Sequence, residues 1–253
     1  GSRGLGDVYK RQVFRAYNEG IAYRFESDIK GDIIVENELS EFNFLHDAKA
    51  YIPYVRDNVA TLESQFGNPF ENIYKYENIS QWDTSRIAFL PLLVEGRNGK
   101  KLCILEADLL NYPGMYLYNG DGSNTLKSVF APYPKEVEQG GYLNLQGLVK
   151  SREPYIAKVS GVTSFPWRIM VVSENDKELA DNDMVFKLAT RPQGDFSWVK
   201  PGKAAWEWWH AWNLLGVDFK TGINNETYKC YIDFASRYGV ELSLIHISEP
   251  TRS

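Results

Sequence analysis

The sequence predicts a mainly β protein, an antiparallel β-sandwich followed by the start of a repeat of strands and helices. From residue 13 to about residue 190, short segments alternate apolar and polar residues and are rich in aromatic side chains, as in half-buried strands. Gly, Pro, Asn and Asp separate these segments, and no long helical pattern interrupts them. After Pro192 the pattern changes to one apolar strand and one helix, which is how a βα repeat begins.

The strands of the first region are bounded by turns that the sequence marks. VFRAYNEGIAYRFE, from residue 13, places Phe14 and Ala16 on one face and predicts a turn at residues 18–20. SRIAFLPLLVEGRNGKKLCILEADL predicts a hairpin at residues 95–100, because Asn98 and Gly99 readily adopt positive φ. The other predicted strands lie in DIIVENELSEFNFL, YPGMYLYNGDGSNTLKSVFAPY, PYIAKVSGVTSFPWRIMVVSEN and DNDMVFKLATRP.

The second region begins after a linker, DFSWVKPGK, and the domain boundary is predicted near residues 197–202. AAWEWW predicts a short strand of the buried parallel type. In NETYKCYIDFASRYGVE, Asn225 is predicted to cap a helix that Gly239 ends, and Val240 and Glu241 to begin the next strand. The apolar and aromatic residues that recur at helical spacing are Tyr228, Tyr231, Ile232, Ala235 and Tyr238.

Both ends of the chain are predicted to be translated sequencing adapter. Residues 2–12, SRGLGDVYKRQ, can be written in codons whose reverse complement translates as LSLIHISEPTR, residues 242–252, and residues 1 and 253 extend the match. A natural peptide or an expression tag does not explain this complementarity. The expected native segment is therefore residues 13–241, with 1–12 and 242–253 non-native.

Composition excludes several classes of function. The formal net charge is −5, and it becomes −7 for residues 13–241, with 24 basic and 31 acidic residues and no Lys/Arg run, which argues against nucleic acid or an anionic membrane surface. No stretch approaches the roughly 18 apolar residues of a membrane span. Cys103 and Cys230 set no disulfide framework, and His46 and His210 show no zinc-site spacing.

Two groups of residues could carry chemistry. Five of the seven tryptophans, Trp198, Trp206, Trp208, Trp209 and Trp212, lie in one short segment, where indole rings could stack on sugars or could equally pack the seam between domains. If the strand belongs to a βα barrel, Trp208, Trp209 and His210 fall at its functional end.

The second group is the acids Glu106 and Asp108 at the end of an apolar strand. Such carboxylates suit Ca²⁺, although solvent exposure is the simpler explanation from the residues alone. Residues 119–122, NGDG, lack the later ligands of a calcium loop and predict a hairpin turn. The sequence contains no GxSxG, phosphate loop or HExxH.

Three strings, VFRAYNEGIAYRF, LEADLLNYPGMYL and KPGKAAWEWWHAWNLLGVDFKTGINNETYKCYIDFASRYGVE, resemble glycoside hydrolase family 97, a family of α-glucosidases and α-galactosidases. The resemblance implies an N-terminal β-super-sandwich, then a (β/α)8 catalytic barrel, then a C-terminal β domain. Residues 13–197 are then the sandwich, missing its own start, and residues 198–241 are the first strand-helix unit of a truncated barrel.

The resemblance also implies site residues. Glu106 matches the one Ca²⁺ ligand that the sandwich supplies, and Trp206, Trp208 and Trp209 are candidates for lining the sugar cleft. The two catalytic acids are expected downstream of Glu241, and Glu207 matches neither, so this chain is expected to be inactive. The resemblance leaves open α-glucoside or α-galactoside as substrate, inversion or retention, and the oligomeric state, and it implies a periplasmic or secreted enzyme of α-linked oligosaccharides.

Two other functions fit the residues. A β-sandwich with exposed aromatic side chains could be a non-catalytic carbohydrate-binding module, although such a module has no use for a βα unit. The second alternative function is structural: the sandwich would only buttress the barrel. The aromatic faces of residues 204–238 are expected to be exposed in this chain, and an apolar patch of that kind lowers solubility.

Overall fold

The computed structural model describes residues 10–56, 61–67, 72–141, 144, 146–206 and 210–244. For residues 243 and 244 it describes the backbone alone. The chain divides into two compact units, Gly1–Arg191 and Pro192–Ser253. The α-helices of the described residues are α1 (Leu62–Gln65), α2 (Asp176–Ala180), α3 (Met184–Leu188) and α4 (Asn225–Tyr238). The strands of the described residues are β1 (Lys10–Tyr17), β2 (Gly20–Val35), β3 (Glu41–Asn43), β4 (Lys49–Ile52), β5 (Lys75–Asn78), β6 (Leu92–Glu95), β7 (Lys101–Ala107), β8 (Met115–Tyr118), β9 (Thr125–Phe130), β10 (Pro134–Gly140), β11 (Gln146–Arg152), β12 (Ala157–Ser164), β13 (Trp167–Ser173), β14 (Ala204–Trp206) and β15 (Leu242–Leu244).

The first unit is a sandwich of two antiparallel sheets. The large sheet has the order β1-β2-β13-β7-β6-β4-β5, with β12 also paired to β2, and the small sheet has the order β3-β9-β8. Ile52, Leu92 and Ile104 of the large sheet are fully buried against Leu117 and Leu126 of the small one. Because each sheet covers the apolar face of the other, this unit contains its own core. The predicted β-sandwich is confirmed.

Two predicted turns are also confirmed. β1 ends at Tyr17 and β2 begins at Gly20, which has φ +150°, and a Cβ added there would lie 2.2 Å from the Met170 carbonyl oxygen. Asn98 (φ 58°) and Gly99 (φ 78°) occupy the left-handed region in the connection between β6 and β7. At these two turns, positive φ occurs at glycine and asparagine, the residues that tolerate it best.

The strand predicted in DNDMVFKLATRP is wrong, because this segment forms α3. Met184 and Leu188 stand four residues apart, so a helix places both on one face, where they are buried against Trp167 and Ile169 of β13. α2 and α3 lie over the outer face of the large sheet. Five residues are too few to show helical periodicity clearly in a sequence.

The second unit contains β14, α4 and β15, and β14 pairs with β15 in parallel. The predicted helix is present, and Gly239 ends it in the left-handed conformation (φ 64°). Its N-cap is Asn224 and not Asn225, because the Asn224 side chain accepts a hydrogen bond from the Thr227 amide at 2.9 Å. The second strand begins at Leu242 and not at Val240, so it lies in the segment predicted to be adapter-derived.

Candidate functional site

A buried charge cluster lies at one end of the sandwich, where β7 ends beside the start of β13. Glu106 and Arg168 are directly opposite each other on these antiparallel strands. Arg168 donates from Nη1 to Glu106 Oε2 (2.5 Å) and, with Nε and Nη2, to both oxygens of Glu38 (2.7 and 2.8 Å). The guanidinium therefore joins two carboxylates that lie far apart in the sequence.

All three members of this cluster are withdrawn from water. The exposed fractions of the side chains are 1% for Arg168, 8% for Glu38 and 14% for Glu106. The Phe130 ring centroid lies 5.1 Å from the Arg168 guanidinium carbon, and Ser40 donates to Glu38 Oε1 at 3.2 Å. Buried charges are tolerated when they are paired and hydrogen-bonded in this way.

The cluster is anionic, because two carboxylates face one guanidinium when all three groups are ionised. Burial raises the pKa of Glu106, and the charge of Arg168 and the Met115 amide oppose that rise. For Arg168, burial works to lower the pKa, but the hydrogen bonds and charges of Glu38 and Glu106 outweigh it and raise the pKa. The balance of charge favours an additional cation near Glu106.

Glu106 retains an oxygen that could bind such a cation. The Met115 amide donates to both carboxylate oxygens at 3.2 Å, and within the described part of the chain it is the one donor to Oε1. Gly114 lies beside it, and a Cβ there would be 3.4 Å from Oε1, so glycine keeps this oxygen uncovered. A carboxylate oxygen is a hard ligand of the kind Ca²⁺ prefers.

Glu106 is not a complete metal site. Among the residues that the structure describes, no group of three or more His, Cys, Asp or Glu side chains could hold a metal ion. Ca²⁺ takes 6 to 8 oxygen ligands, so the other ligands would have to come from elsewhere. The donor chemistry at Glu106 fits the ion that the sequence resemblance implies.

Asp108, the second strand-end acid, anchors the chain. It has φ 56°, and its carboxylate accepts hydrogen bonds from the Thr190 amide (2.6 Å) and hydroxyl (2.9 Å). Thr190 is the second-last residue of the first unit. The polypeptide therefore leaves the sandwich beside Asp108, which follows Glu106 by two residues in the sequence.

The other sequence-predicted candidates lie in the second unit. Trp206 ends β14 and, with His210, Tyr231 and Phe234, lines a pocket of about 840 Å³. Trp208, Trp209 and Glu207 lie outside the described residues. The 119–122 segment forms the predicted turn, because the Asn119 side chain donates to the Ile79 and Ser123 carbonyls and accepts from the Gly122 amide (3.0 Å).

The sequence interpretation missed Glu38 and Arg168. Arg168 interrupts the apolar run FPWRIMV, and a charged residue in a buried strand signals a buried partner. No comparable signal marks Glu38, which is 130 residues away.

The sequence matches a protein-family model and a related enzyme. A family model described as "Glycosyl-hydrolase 97 N-terminal" matches residues 10–191. A protein named "Retaining alpha-galactosidase" from Bacteroides thetaiotaomicron is 50% identical over 234 residues, which are 92% of this chain and 35% of that protein.

Solved structures show the same fold. A glycoside hydrolase family 97 enzyme from Pseudoalteromonas sp. strain K8, in complex with acarbose, aligns with a TM-score of 0.69 at 23% identity, over 93% of this chain and 32% of that one. A β-arabinopyranosidase aligns with a TM-score of 0.65 at 18% identity, over 92% of this chain and 35% of that one. The chain thus spans about a third of the length of the relatives it matches.

Proposed function

Because the chain belongs to glycoside hydrolase family 97, whose N-terminal domain it contains, we propose that the full-length protein is a retaining α-galactosidase. The observation that carries this proposal is 50% identity, along nearly the whole chain, to a retaining α-galactosidase. That likeness favours an α-galactoside over an α-glucoside and retention over inversion. The substrate would be an α-linked oligosaccharide.

Hydrolysis with retention uses two carboxyl groups about 5 Å apart, one as acid and one as nucleophile. We expect both downstream of Glu241, in a (β/α)8 barrel that begins with β14 and α4. In this chain, Trp206, Trp208 and Trp209 would line the sugar cleft, where an indole face stacks on the apolar face of a sugar ring. The chain alone is therefore expected to have no hydrolytic activity.

Glu106 is proposed as the ligand that the sandwich contributes to a Ca²⁺ ion. Three features support this role: the anionic cluster, the oxygen Oε1 with a single donor in the described chain, and the glycine beside it. When bound, Ca²⁺ would supply a positive charge that stabilises negative charge developing on the departing glycosidic oxygen. Arg168 would hold the carboxylate in place, and Glu38 would hold Arg168 in turn.

The full-length protein is also proposed to be periplasmic or secreted. In either location it would meet extracellular oligosaccharides directly. No helix in the described part of the chain is both long and apolar enough to cross a membrane. Cell fractionation of the source organism, with activity followed in the periplasmic and medium fractions, tests the location.

The activity is tested by expressing the full-length protein and measuring turnover of nitrophenyl α-galactoside and α-glucoside. We expect higher kcat/KM on the α-galactoside and, by NMR, an α-configured first product. A preference for the α-glucoside, or a β-configured product, would overturn the corresponding part. The 253-residue chain is the control, and oligosaccharide binding by that chain alone would instead favour a carbohydrate-binding module.

The metal proposal is tested by Glu106→Gln in the full-length protein, with Ca²⁺ binding measured by calorimetry and by thermal shift with and without chelator. Removing the charge of a ligand is expected to weaken Ca²⁺ binding by at least about tenfold. Glu174→Gln, at an exposed carboxylate paired with Lys100, is the matched control. Unchanged Ca²⁺ affinity in Glu106→Gln would mean that the sandwich only buttresses the barrel.

A further inference from the structure

The strands β10 and β11 form a ribbon that stands apart from both sheets of the sandwich. They pair only with each other among the described residues, so both outer edges of the ribbon lack a neighbouring strand. Every residue of β10 except its last is exposed. An isolated two-stranded ribbon is marginally stable in water, and open strand edges favour pairing or docking.

The two faces of the ribbon differ in chemistry. Val137 lies directly opposite Val149, so both valines are on one face, and a Cβ on Gly147 would be 3.2 Å from Val137 Cγ1. The glycine leaves the valine methyl groups open, and Val137 is 58% exposed. The other face carries the ion pair between Glu138 and Lys150, at 2.9 Å, and also Leu148, which is directly opposite Glu138 and 37% exposed. The valine face has the more exposed apolar side chain and lacks this ion pair, so it is the better surface for burial against another apolar surface.

The base of the ribbon is held firmly on the sandwich. The Tyr133 and Tyr155 rings stack with centroids 5.6 Å apart, and the Tyr133 amide donates to the Tyr155 carbonyl at 2.8 Å. The Glu153 amide donates to the Tyr133 carbonyl at 2.8 Å, and Arg152 Nη1 donates to the Pro132 carbonyl at 2.7 Å. These contacts fix where the ribbon leaves the domain.

That point is at the same end of the sandwich as Glu106. β9 ends at Phe130, four residues before the ribbon, and the Phe130 ring contacts Arg168. Met115, which pairs with Phe130, donates its amide to Glu106. Thr190, where the chain leaves this unit, is bonded to Asp108. The ribbon base, Glu106 and the chain exit are thus close together.

We propose that the β10–β11 ribbon is a docking arm whose valine face packs against the remaining two-thirds of the full-length protein. The polypeptide leaves the sandwich at the same end from which the arm starts, so the part that follows begins near the arm. The relative at 50% identity is about three times as long as the aligned segment, which is long enough to include such a part. The inference rests on this chain being part of a longer family 97 protein, and not on the sugar or the metal that the enzyme uses.

Hydrogen exchange followed by mass spectrometry tests the proposal by comparing the full-length protein with the 253-residue chain. We expect β10 and β11 to exchange at least about tenfold slower in the full-length protein, because docking covers their amides. β7 and β13 are the internal reference and should exchange alike in both. Equal rates for the ribbon in the two proteins would overturn the proposal.

Val137→Arg in the full-length protein identifies the docking face. The variant is expected to lose this protection of the ribbon, while unchanged exchange in β7 and β13 shows that the sandwich still folds. Val162→Arg is the matched control, because Val162 is 66% exposed on β12, away from the ribbon. Protection retained in Val137→Arg would rule out the valine face. Protection of the 253-residue chain that grows with its concentration would show that a second copy is the partner instead.

Discussion

The two units of this chain bury their apolar side chains to very different extents. In Gly1–Arg191, Ile104 and Leu117 are fully buried between two sheets. In Pro192–Ser253, Leu215 is 98% exposed, and Thr227 is the one described residue of α4 that is buried. The exposed apolar and aromatic residues of α4 include Ile232, Phe234 and Tyr238.

The difference follows from architecture. In a sandwich, two sheets encoded by one continuous segment cover each other, whereas a strand and a helix of a βα repeat need the neighbouring repeats as their second layer. A sandwich can therefore be an independent unit of stability, while a single strand-helix-strand unit depends on further layers to cover its apolar faces.

The largest expected difference between the units is in amide exchange. We expect amides of β7 and β13 to exchange at least about a thousandfold slower than those of α4 in the 253-residue chain, because local opening of a poorly buried helix costs little free energy. Mass spectrometry of peptic peptides from one sample measures both. Equal protection in a monomeric sample would contradict the comparison.

Arg168→Met is expected to lower the free energy of unfolding of the sandwich by about 3–5 kcal/mol, because it leaves the buried Glu38 carboxylate uncompensated. Urea denaturation measures the change. Lys100→Met, at an exposed ion pair with Glu174, is the control and should cost less than about 1 kcal/mol. Similar losses in both variants would mean that the buried cluster adds no more stability than a surface pair.

Leu117→Ala and Leu215→Ala compare the same truncation in the two units. The first opens a cavity in the core and is expected to cost about 2–5 kcal/mol in denaturant unfolding. The second, at an almost fully exposed side chain, should change stability by less than about 0.5 kcal/mol. A large loss in Leu215→Ala would indicate a core in the second unit.

Cys103 reports on burial within the sandwich through its pKa. Burial raises the pKa of the Cys103 thiol to about 11, and only the thiolate reacts with iodoacetamide. At pH 8 the folded protein should therefore react about two orders of magnitude more slowly at Cys103 than the denatured protein. In the folded protein, the rate of reaction of Cys103 with iodoacetamide should rise about tenfold per pH unit until the pH approaches the pKa of the thiol. A reaction rate of folded Cys103 that levels off by about pH 9.5 would show that the pKa of the thiol is not raised.

The smallest expected effect concerns the cap of α4. Asn224→Ala should destabilise the helix by about 1 kcal/mol, because the Thr227 amide loses its acceptor, and exchange in the first turn should quicken. Asn225→Ala is the matched control and should have little effect, since Asn225 is inside the helix. A larger effect at Asn225 would restore the cap predicted from the sequence.

Local features of the fold were predictable from the sequence because neighbouring residues determine them. Asn98 and Gly99 mark their turn, and Gly239 ends α4, since these residues tolerate positive φ. The cap was wrong by one residue because adjacent asparagines have the same capping chemistry. α3 was missed because its two buried residues pack on a strand that the local sequence does not reveal.

The candidate site also combines a residue that the sequence predicts with partners that only the fold brings to it. Glu106 is recognisable from the LEADLLNYPGMYL string and its family resemblance. Its pairing with Arg168, and the link through Arg168 to Glu38, depend on β7 and β13 being neighbours in register. Sheet pairing joins residues far apart in the chain, so no local pattern encodes these contacts.

The sequence by itself determined the fold class, the family, the change of pattern after Pro192 and Glu106 as the candidate metal ligand. Only the tertiary structure decided that Asp108 anchors the chain exit, that Glu38 and Arg168 hold Glu106, and that the β10–β11 ribbon starts beside them. The physical reason is that periodicity and turn preference act over a few residues, whereas burial and charge pairing act between strands brought together by folding.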